Sequence, residues 1–343
     1  PQAGDWVKVC ANKGGTLGWG HYAPQASIAV RMLTFDEHCP DDAWWHIQIA
    51  KAVAVRRDLN LFQSATQNAC RLVHAEGDGL PGLIADLYNR VLVVQCHTPG
   101  MHRALPTLVE AFKEALGDTL VGIYDKSAKT LLKNGGEACL DGWVWGSAPE
   151  GHFATEHGHR FDIDWEKGQK TGFFLDQREN RALLGSLSKE KKVLNVFSYT
   201  GGFSIYAMKA GAKEVHSLDS SQRALDVCEH NVRLNELPLQ SHTSIQADAM
   251  EYLKADELGD YDIVVLDPPA FAKRASARHA AVQGYKRINL RALQGMKPGS
   301  LLFTFSCSQA VDDTLFANTI VAAAIQAGRT VRILHRLHQP PDH

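Results

Sequence analysis

Nothing in this chain is apolar for the roughly 20 residues that a helix needs to cross a bilayer. No charged, apolar and small-residue leader opens it, so a soluble, unsecreted, cytoplasmic protein is expected. Cysteine is sparse and scattered. The seven residues, Cys10, Cys39, Cys70, Cys96, Cys139, Cys228 and Cys307, form no Cys-x-x-Cys pair and no even framework, which excludes a disulfide scaffold and fits a reducing compartment. Excess charge is missing as well: 36 Lys and Arg stand against 38 Asp and Glu, a formal net charge of −2, without the basic bias usual in a nucleic-acid-binding domain. The G-x-G-x-x-G spacing of a nicotinamide site is absent, which disfavours a dehydrogenase. His152, His157 and His159 crowd together in GHFATEHGHR, yet no cysteine or carboxylate stands at ligand spacing. A polar hairpin tip is expected there, and no metal.

What is present is an ordinary globular composition: 343 residues, 45% hydrophobic and 22% charged, enough for two or three domains. Residues 1–45 read as short strands broken by turns (WVKVC, NKGG, GWGHYAP, SIAVRML), the pattern of a small β-barrel. Residues 46–165 mix signals: IQIAKAVAVRRDLNLF as a helix, RLVHAE and VLVVQCH as strands around GDGLPG, LPTLVEAFKEALG as a helix ended by Gly117, and DGWVWGSAPEGHF as an exposed connection. From 166 to 343 strands and helices alternate, the rhythm of an α/β domain with a parallel sheet covered on both faces. In such sheets ligands bind beyond the carboxyl ends of the strands.

Those ends carry the informative residues. After VLNV comes FSYTGG, where Gly201 and Gly202 let backbone approach a ligand at a helix start, or simply make a tight turn. Asp219 closes the next strand, placed for ribose hydroxyls, and Asp248 follows the third, placed for an adenine amino group or as a helix cap. Together they point to a nucleoside cofactor. The fourth strand delivers LDPPAFAK: an acid (Asp267), a rigid Pro268–Pro269 pair and an aromatic (Phe271) on which a base can stack. The fifth strand is expected to end at Cys307, at the same sheet edge as Asp267; a cysteine there is most often a small buried apolar group, but polar Ser306, Ser308 and Gln309 around it suit a cleft-facing thiol able to ionise and act as a nucleophile. Between Pro268 and Lys297 stand Lys273, Arg274, Arg278, Lys286, Arg287, Arg291 and Lys297 without one acidic residue, either a phosphate-facing patch or a solvated helix face.

Six blocks in one order, TGFFLDQREN (171–180), VLNVFSYTGGFS (193–204), SLDSSQRALDVCEHNVRLNE (217–236), VVLDPPAFAK (264–273), QGYKRINLRAL (283–293) and LLFTFSCS (301–308), resemble the ribosomal RNA large subunit methyltransferase I family. The resemblance extends upstream through RLVHAEGDGLPGLIADLYNRVLVVQC and the turn-rich amino terminus. It implies a PUA-like RNA-binding barrel (1–45), a central α+β RNA-binding domain (46–165) and a class I, Rossmann-like S-adenosylmethionine-dependent methyltransferase domain (166–343). Carried onto matching positions, Phe197, Ser198, Tyr199, Thr200 and Gly201 would line the methionine end of the cofactor, Asp219 would hold the ribose and Asp248 the adenine. Asp267 would stand between cofactor and base, and Asp176, Gln177 and Arg178 beside the cofactor or the entering strand. Pro268, Phe271, Lys273, Lys286 and Arg287 would meet RNA, and no metal is implied.

The implied reaction is 5-methylcytosine formation in 23S rRNA, free or in an assembling large subunit, through a covalent bond from Cys307 to cytosine C6 with Asp267 on the N3 and N4 edge. The target base must leave its stack. A homodimer is left open. Uridine-C5 methylation, exocyclic-amine methylation, which needs no cysteine, and a non-catalytic RNA-binding protein are the competing readings. The chain departs from the family in three places. Its barrel starts abruptly at Pro1, TVRILHRL is expected as a sixth strand with the family's seventh lacking, and Ala270 fills the variable position of Asp-Pro-Pro-x-Phe.

Overall fold

Alternating polar and apolar residues at the start of the chain pair into an antiparallel meander of β1 (Trp6–Cys10), β2 (Thr16–Tyr22) and β3 (Val30–Thr34). The structure is a computed structural model that describes every residue except 25, 27, 255 and 273 and the side chains of 256, 257 and 275. By contacts it divides into two units, residues 1–178 with 339–343, and residues 179–338.

In the first unit, Asp41 caps α1 (Asp42–Asp58), accepting from the Trp44 amide at 3.0 Å, and the buried Trp45, Ile49, Ala52, Val53 and Arg56 recur at helical spacing along one face. His21 of β2 packs between Trp6 (4.4 Å between rings) and Trp45 (6.2 Å), and burial drives its pKa down to about 4, so it is neutral. A five-stranded sheet follows, in the order β4 (Ala69–His74), β5 (Leu83–Tyr88), β6 (Val91–Cys96), β7 (Gly122–Asp125) and β8 (Gly142–Gly146). Only β6 and β7 run parallel, joined by the crossover helices α2 (Pro99–Arg103) and α3 (Leu105–Leu116). A short helix, α4 (Ala128–Lys133), precedes β8. The segment GWVWG, expected as an exposed connection, is instead this edge strand, because Trp143 packs edge-on against Tyr124 (5.4 Å) and Trp165 (5.9 Å). The histidine-rich segment does form a hairpin, β9 (Ala154–Glu156) and β10 (His159–Phe161), turning at His157 and Gly158, both at positive φ. His152 is not at its tip but half-buried against Trp165, 5.4 Å between rings.

A buried ionic network ties this unit together. Arg56 bonds Asp78 (2.8 Å), Arg71 bonds Asp86 through two nitrogens (2.8 and 3.0 Å), and Arg178 bonds Asp342 through two (2.8 and 3.1 Å). Asp342 also accepts from the Arg71 amide at 3.0 Å, and Thr171 donates to Asp86. Segment 166–178, read from sequence as the start of the last domain, therefore packs with the first unit. Burial alone would raise the Asp342 pKa, but hydrogen bonds from His343 and Arg178 and the guanidinium charge outweigh it and hold the carboxyl well below the ordinary range.

The second unit opens with α5 (Arg178–Leu187), whose first residue belongs to the first unit. It continues as β11 (Lys192–Val196), α6 (Gly202–Lys209), β12 (Glu214–Asp219), α7 (Gln222–Leu234), β13 (His242–Gln246), α8 (Ala249–Tyr252), β14 (Ile263–Leu266), α9 (Arg278–Gly295), β15 (Leu301–Thr304) and α10 (Asp313–Ala327). The sheet order is β13-β12-β11-β14-β15, all parallel. Residues 193–196 and all of β14 are buried, as strands covered on both faces must be. Ser221 caps α7, its hydroxyl accepting from the Ala224 amide at 3.3 Å. The expected strand TVRILHRL is irregular in this structure: β15 pairs only with β14 among the described residues, and a trough of about 780 Å³ separates it from residues 329–338. No described helix is long and apolar enough to cross a membrane.

All seven tryptophans lie between residues 6 and 165, so tryptophan fluorescence reports on the first unit. Asp342→Asn leaves the Arg178 guanidinium buried without its counter-charge, and urea unfolding followed by fluorescence is expected to show a loss of about 3–5 kcal/mol at pH 7. The folded-state pKa of Asp342 lies below its ordinary 3.8, so the contribution is complete above that value and fades as pH falls toward the folded one. The gap between the two proteins should accordingly narrow on acidification, and coincident curves at pH 7 would refute the role of the pair.

Candidate active site

The parallel register brings four strand ends to one level: Val196 stands beside Leu218 and Leu266, and Leu266 beside Thr304. Beyond β11 the chain takes positive φ at every second residue, Phe197 (62°), Tyr199 (48°) and Gly201 (82°). Such alternation curls amides around a concavity suited to an anionic group. Gly201 has to be glycine, since a Cβ there would collide with the Cys228 sulfur. Asp219 fixes the turn from the neighbouring strand, accepting from the Tyr199 amide on one oxygen and from the Ser221 amide on the other, each at 2.9 Å. The hydroxyls of Ser198 and Thr200, both residues nearly fully buried, have no hydrogen-bond partner. Buried polar atoms without partners are rare, and these fit a turn built to receive a polar ligand. Asp248 caps α8, accepting from the Glu251 amide at 3.0 Å.

Beyond β14 and β15 lies the second half of the site. Asp267 is half-buried, Pro268 buried and Pro269 exposed. β15 stops at Thr304, so Cys307 stands in the loop after the strand rather than at its end, and this exposes it. Its sulfur lies 3.7 Å from the Pro268 carbonyl oxygen, which joins the two loops. A second tie runs through Ser308: its hydroxyl accepts from the Ala272 amide at 3.1 Å and lies 2.9 Å from the buried Tyr285 hydroxyl. Phe271 leans on the Tyr285 ring at 4.7 Å while keeping 37% of its surface open. Helix α9 can approach because residue 284 is glycine; a Cβ there would lie 3.0 Å from the Phe271 ring.

Ser308, Tyr285 and Gly284 were not legible as site residues, though each lies inside a block quoted above. Of the others, Gln177 and Arg178 belong to the first unit, and Arg178 is 1% exposed with its guanidinium committed to Asp342, which leaves it no solvent-facing edge for RNA. Lys273 lies outside the described residues. On α9, Lys286 is half-buried and Arg287 exposed, while at the ends of the basic run Arg278 pairs with Asp312 (2.9 Å) and Lys297 with Asp262 (2.8 Å).

Of the seven thiols, Cys10, Cys39 and Cys307 are exposed, Cys139 is half-buried, and Cys70, Cys96 and Cys228 are buried. Burial pushes the Cys228 thiol up to about 12 and the Cys70 and Cys96 thiols well above their ordinary value, so all three are inert small apolar groups, whereas Cys307 meets solvent.

Comparison with known proteins agrees with this geometry. The profile of S-adenosylmethionine-dependent methyltransferases matches residues 71–343, and that of PUA-like domains residues 1–35. Ribosomal RNA large subunit methyltransferase I of Shewanella denitrificans is 41% identical over all of this chain and 86% of its own length, and that of Aliivibrio fischeri 37% over all of this chain and 86% of its own. A Streptococcus mutans protein assigned as a SAM-dependent methyltransferase superposes with a TM-score of 0.84 over 99% of this chain and 87% of its own, at 21% identity. A protein assigned as a methyltransferase and solved with S-adenosylhomocysteine gives 0.83 over the same shares at 22%. At such identities the structural likeness is one of fold. The unsatisfied hydroxyls and the glycine turn suit S-adenosylmethionine, and the sequence relationship runs the length of the chain: it belongs to the ribosomal RNA large subunit methyltransferase I family of S-adenosylmethionine-dependent methyltransferases, with a PUA-like amino-terminal domain.

Proposed function

We propose that the chain methylates C5 of a cytosine in 23S ribosomal RNA, with Cys307 as nucleophile. One observation carries this reading: the single exposed cysteine at the carboxyl edge of the sheet touches the proline loop that presents Asp267 and Phe271. The substrate class follows from the relatives, which are named for ribosomal RNA of the large subunit.

Residues of this chain perform the following steps. Phe271, open on one side and braced by Tyr285 on the other, stacks an unstacked base. The Cys307 thiolate adds to C6, forming the S–C6 bond and moving the C5–C6 π pair onto C5. Asp267 hydrogen-bonds the N3 and N4 edge and favours its protonated form as charge builds there. S-adenosylmethionine, bound at the turn after β11, supplies the methyl group that C5 accepts. Loss of the C5 proton to a base restores the double bond and expels Cys307 as thiolate. The covalent detour divides one difficult substitution into two easier steps.

With unmodified 23S rRNA and methyl-labelled S-adenosylmethionine, the wild-type protein is expected to place label in 5-methylcytosine, and Cys307→Ala to fall below about a thousandth of its rate. Asp267→Asn should lose roughly 10²-fold. RNA carrying 5-fluorocytosine, which has no C5 proton to lose, should trap a complex stable to denaturation only when Cys307 is present. Label in an N-methylated base, or transfer that survives Cys307→Ala, defeats the thiol mechanism and favours exocyclic-amine chemistry.

Support for Phe271 is testable separately. Gly284→Ala pushes a Cβ onto its ring, and displacement of a positioned group by a fraction of an ångström should lower kcat about tenfold while S-adenosylhomocysteine binding stays unchanged. A variant with undiminished kcat would show that the close approach of α9 is unimportant.

A further inference from the structure

A small core lies beneath the two loops that carry Phe271 and Cys307. Tyr285 of α9 belongs to it, buried with Ala272, Ala281 and Val311. Its ring meets Phe271 at 4.7 Å on one side and, edge-on, Phe316 of α10 at 5.4 Å on another. A phenylalanine would keep all of these contacts, so the hydroxyl has to be accounted for separately.

That hydroxyl lies 2.9 Å from Oγ of Ser308, a residue 3% exposed, and the same Oγ accepts from the Ala272 amide at 3.1 Å. Ser308 follows Cys307 and Ala272 follows Phe271, so one oxygen links the residue beside the thiol to the residue beside the aromatic. The chain around the thiol is closed as well: the Ser308 amide donates to the Ser306 hydroxyl at 3.3 Å, and the Ser308 carbonyl accepts from the Val311 amide at 2.9 Å. Cys307 therefore sits inside a short turn whose far end is tied to α9. A hydroxyl offers one proton and two lone pairs. With the Ala272 amide on one lone pair, loss of the Tyr285 hydroxyl leaves the Ser308 side chain free to turn, and the two loops lose their common anchor on the helix.

We propose that Tyr285 is a positioning residue for the methyl transfer: through Ser308 its hydroxyl fixes the distance from the Cys307 sulfur to a base stacked on Phe271, and so governs formation of the S–C6 bond rather than binding of RNA or cofactor. The inference rests on the assignment of Cys307 as nucleophile and Phe271 as stacking partner. Addition to C6 needs the sulfur at near-attack distance, and a displacement of a fraction of an ångström lowers that rate without weakening the stack.

Tyr285→Phe in the full chain separates this role from simple support, because it removes one oxygen and keeps the ring against Phe271 and Phe316. With unmodified 23S rRNA, kcat is expected to fall about 10- to 100-fold, while KM for RNA and Kd for S-adenosylhomocysteine stay within about twofold. In single turnovers with RNA carrying 5-fluorocytosine and saturating S-adenosylmethionine, the rate constant for trapping should fall by a similar factor, and the final amount trapped should not change. A variant that is merely less well folded does the reverse, trapping less at the wild-type rate. Ser308→Ala should fall at least as far as Tyr285→Phe, and the double variant should be no slower than Ser308→Ala alone, since both break one link. Ser308→Ala carries the comparison if the phenylalanine variant does not fold. An unchanged kcat and trapping rate, a rise in KM alone, or losses that multiply in the double variant overturn the proposal. Wild-type protein that traps nothing overturns the thiol assignment itself, an outcome distinct from those three.

Discussion

A strand that runs parallel to its neighbour delivers its last residue to the same edge, and in this chain that constraint makes the site. Four strand ends stand level in β11, β12, β14 and β15. With both faces of the central strands buried, polar groups can appear only where the strands stop. Phe197 to Gly201, Asp219 and Asp267 sit there for that reason. The chain then spends local backbone strain to shape the first turn, holding Phe197 and Tyr199 at positive φ, and Asp219 secures the strained turn from the next strand.

The two halves of the site are built differently. The turn after β11, proposed to hold the cofactor, is a backbone device, held by amides and by the absence of a side chain at Gly201. The half proposed to handle the base is a side-chain device. Ser308 and Tyr285 join the proline loop to the loop of Cys307, so the acid, the aromatic and the thiol share one scaffold rather than three independent ones.

The sequence was readable where periodicity and punctuation agree. VLNV and the alternation that follows it read as strands of a covered parallel sheet, and Gly117 as the stop after α3, since these signals act within a few residues. What could not be read depends on distant partners. GWVWG is a strand because Tyr124 and Trp165 wait for Trp143. TVRILHRL has strand composition, yet among the described residues it pairs with no strand. Arg178 and Arg181 in RENR look like a solvated helix face, yet both are almost wholly buried, one on Asp342 and the other against Gly202, and no spacing rule announces either partner. Asp248 carried two readings in the sequence, and the hydrogen bond that it accepts from the residue 251 amide shows it as a cap.

The first unit is discontinuous, and that has a bearing on how it comes to exist. Arg178 and the carboxylate that neutralises it are 164 residues apart. During vectorial synthesis the chain up to 178 leaves the ribosome while the whole second unit has yet to be made, so the guanidinium waits, desolvated or exposed, until Asp342 emerges. Closing so long a loop is slow compared with forming β4–β6, whose pairings are local. Residues 339–343 thus act as a clasp, and the nascent protein keeps its first unit unlatched until the second has been synthesised.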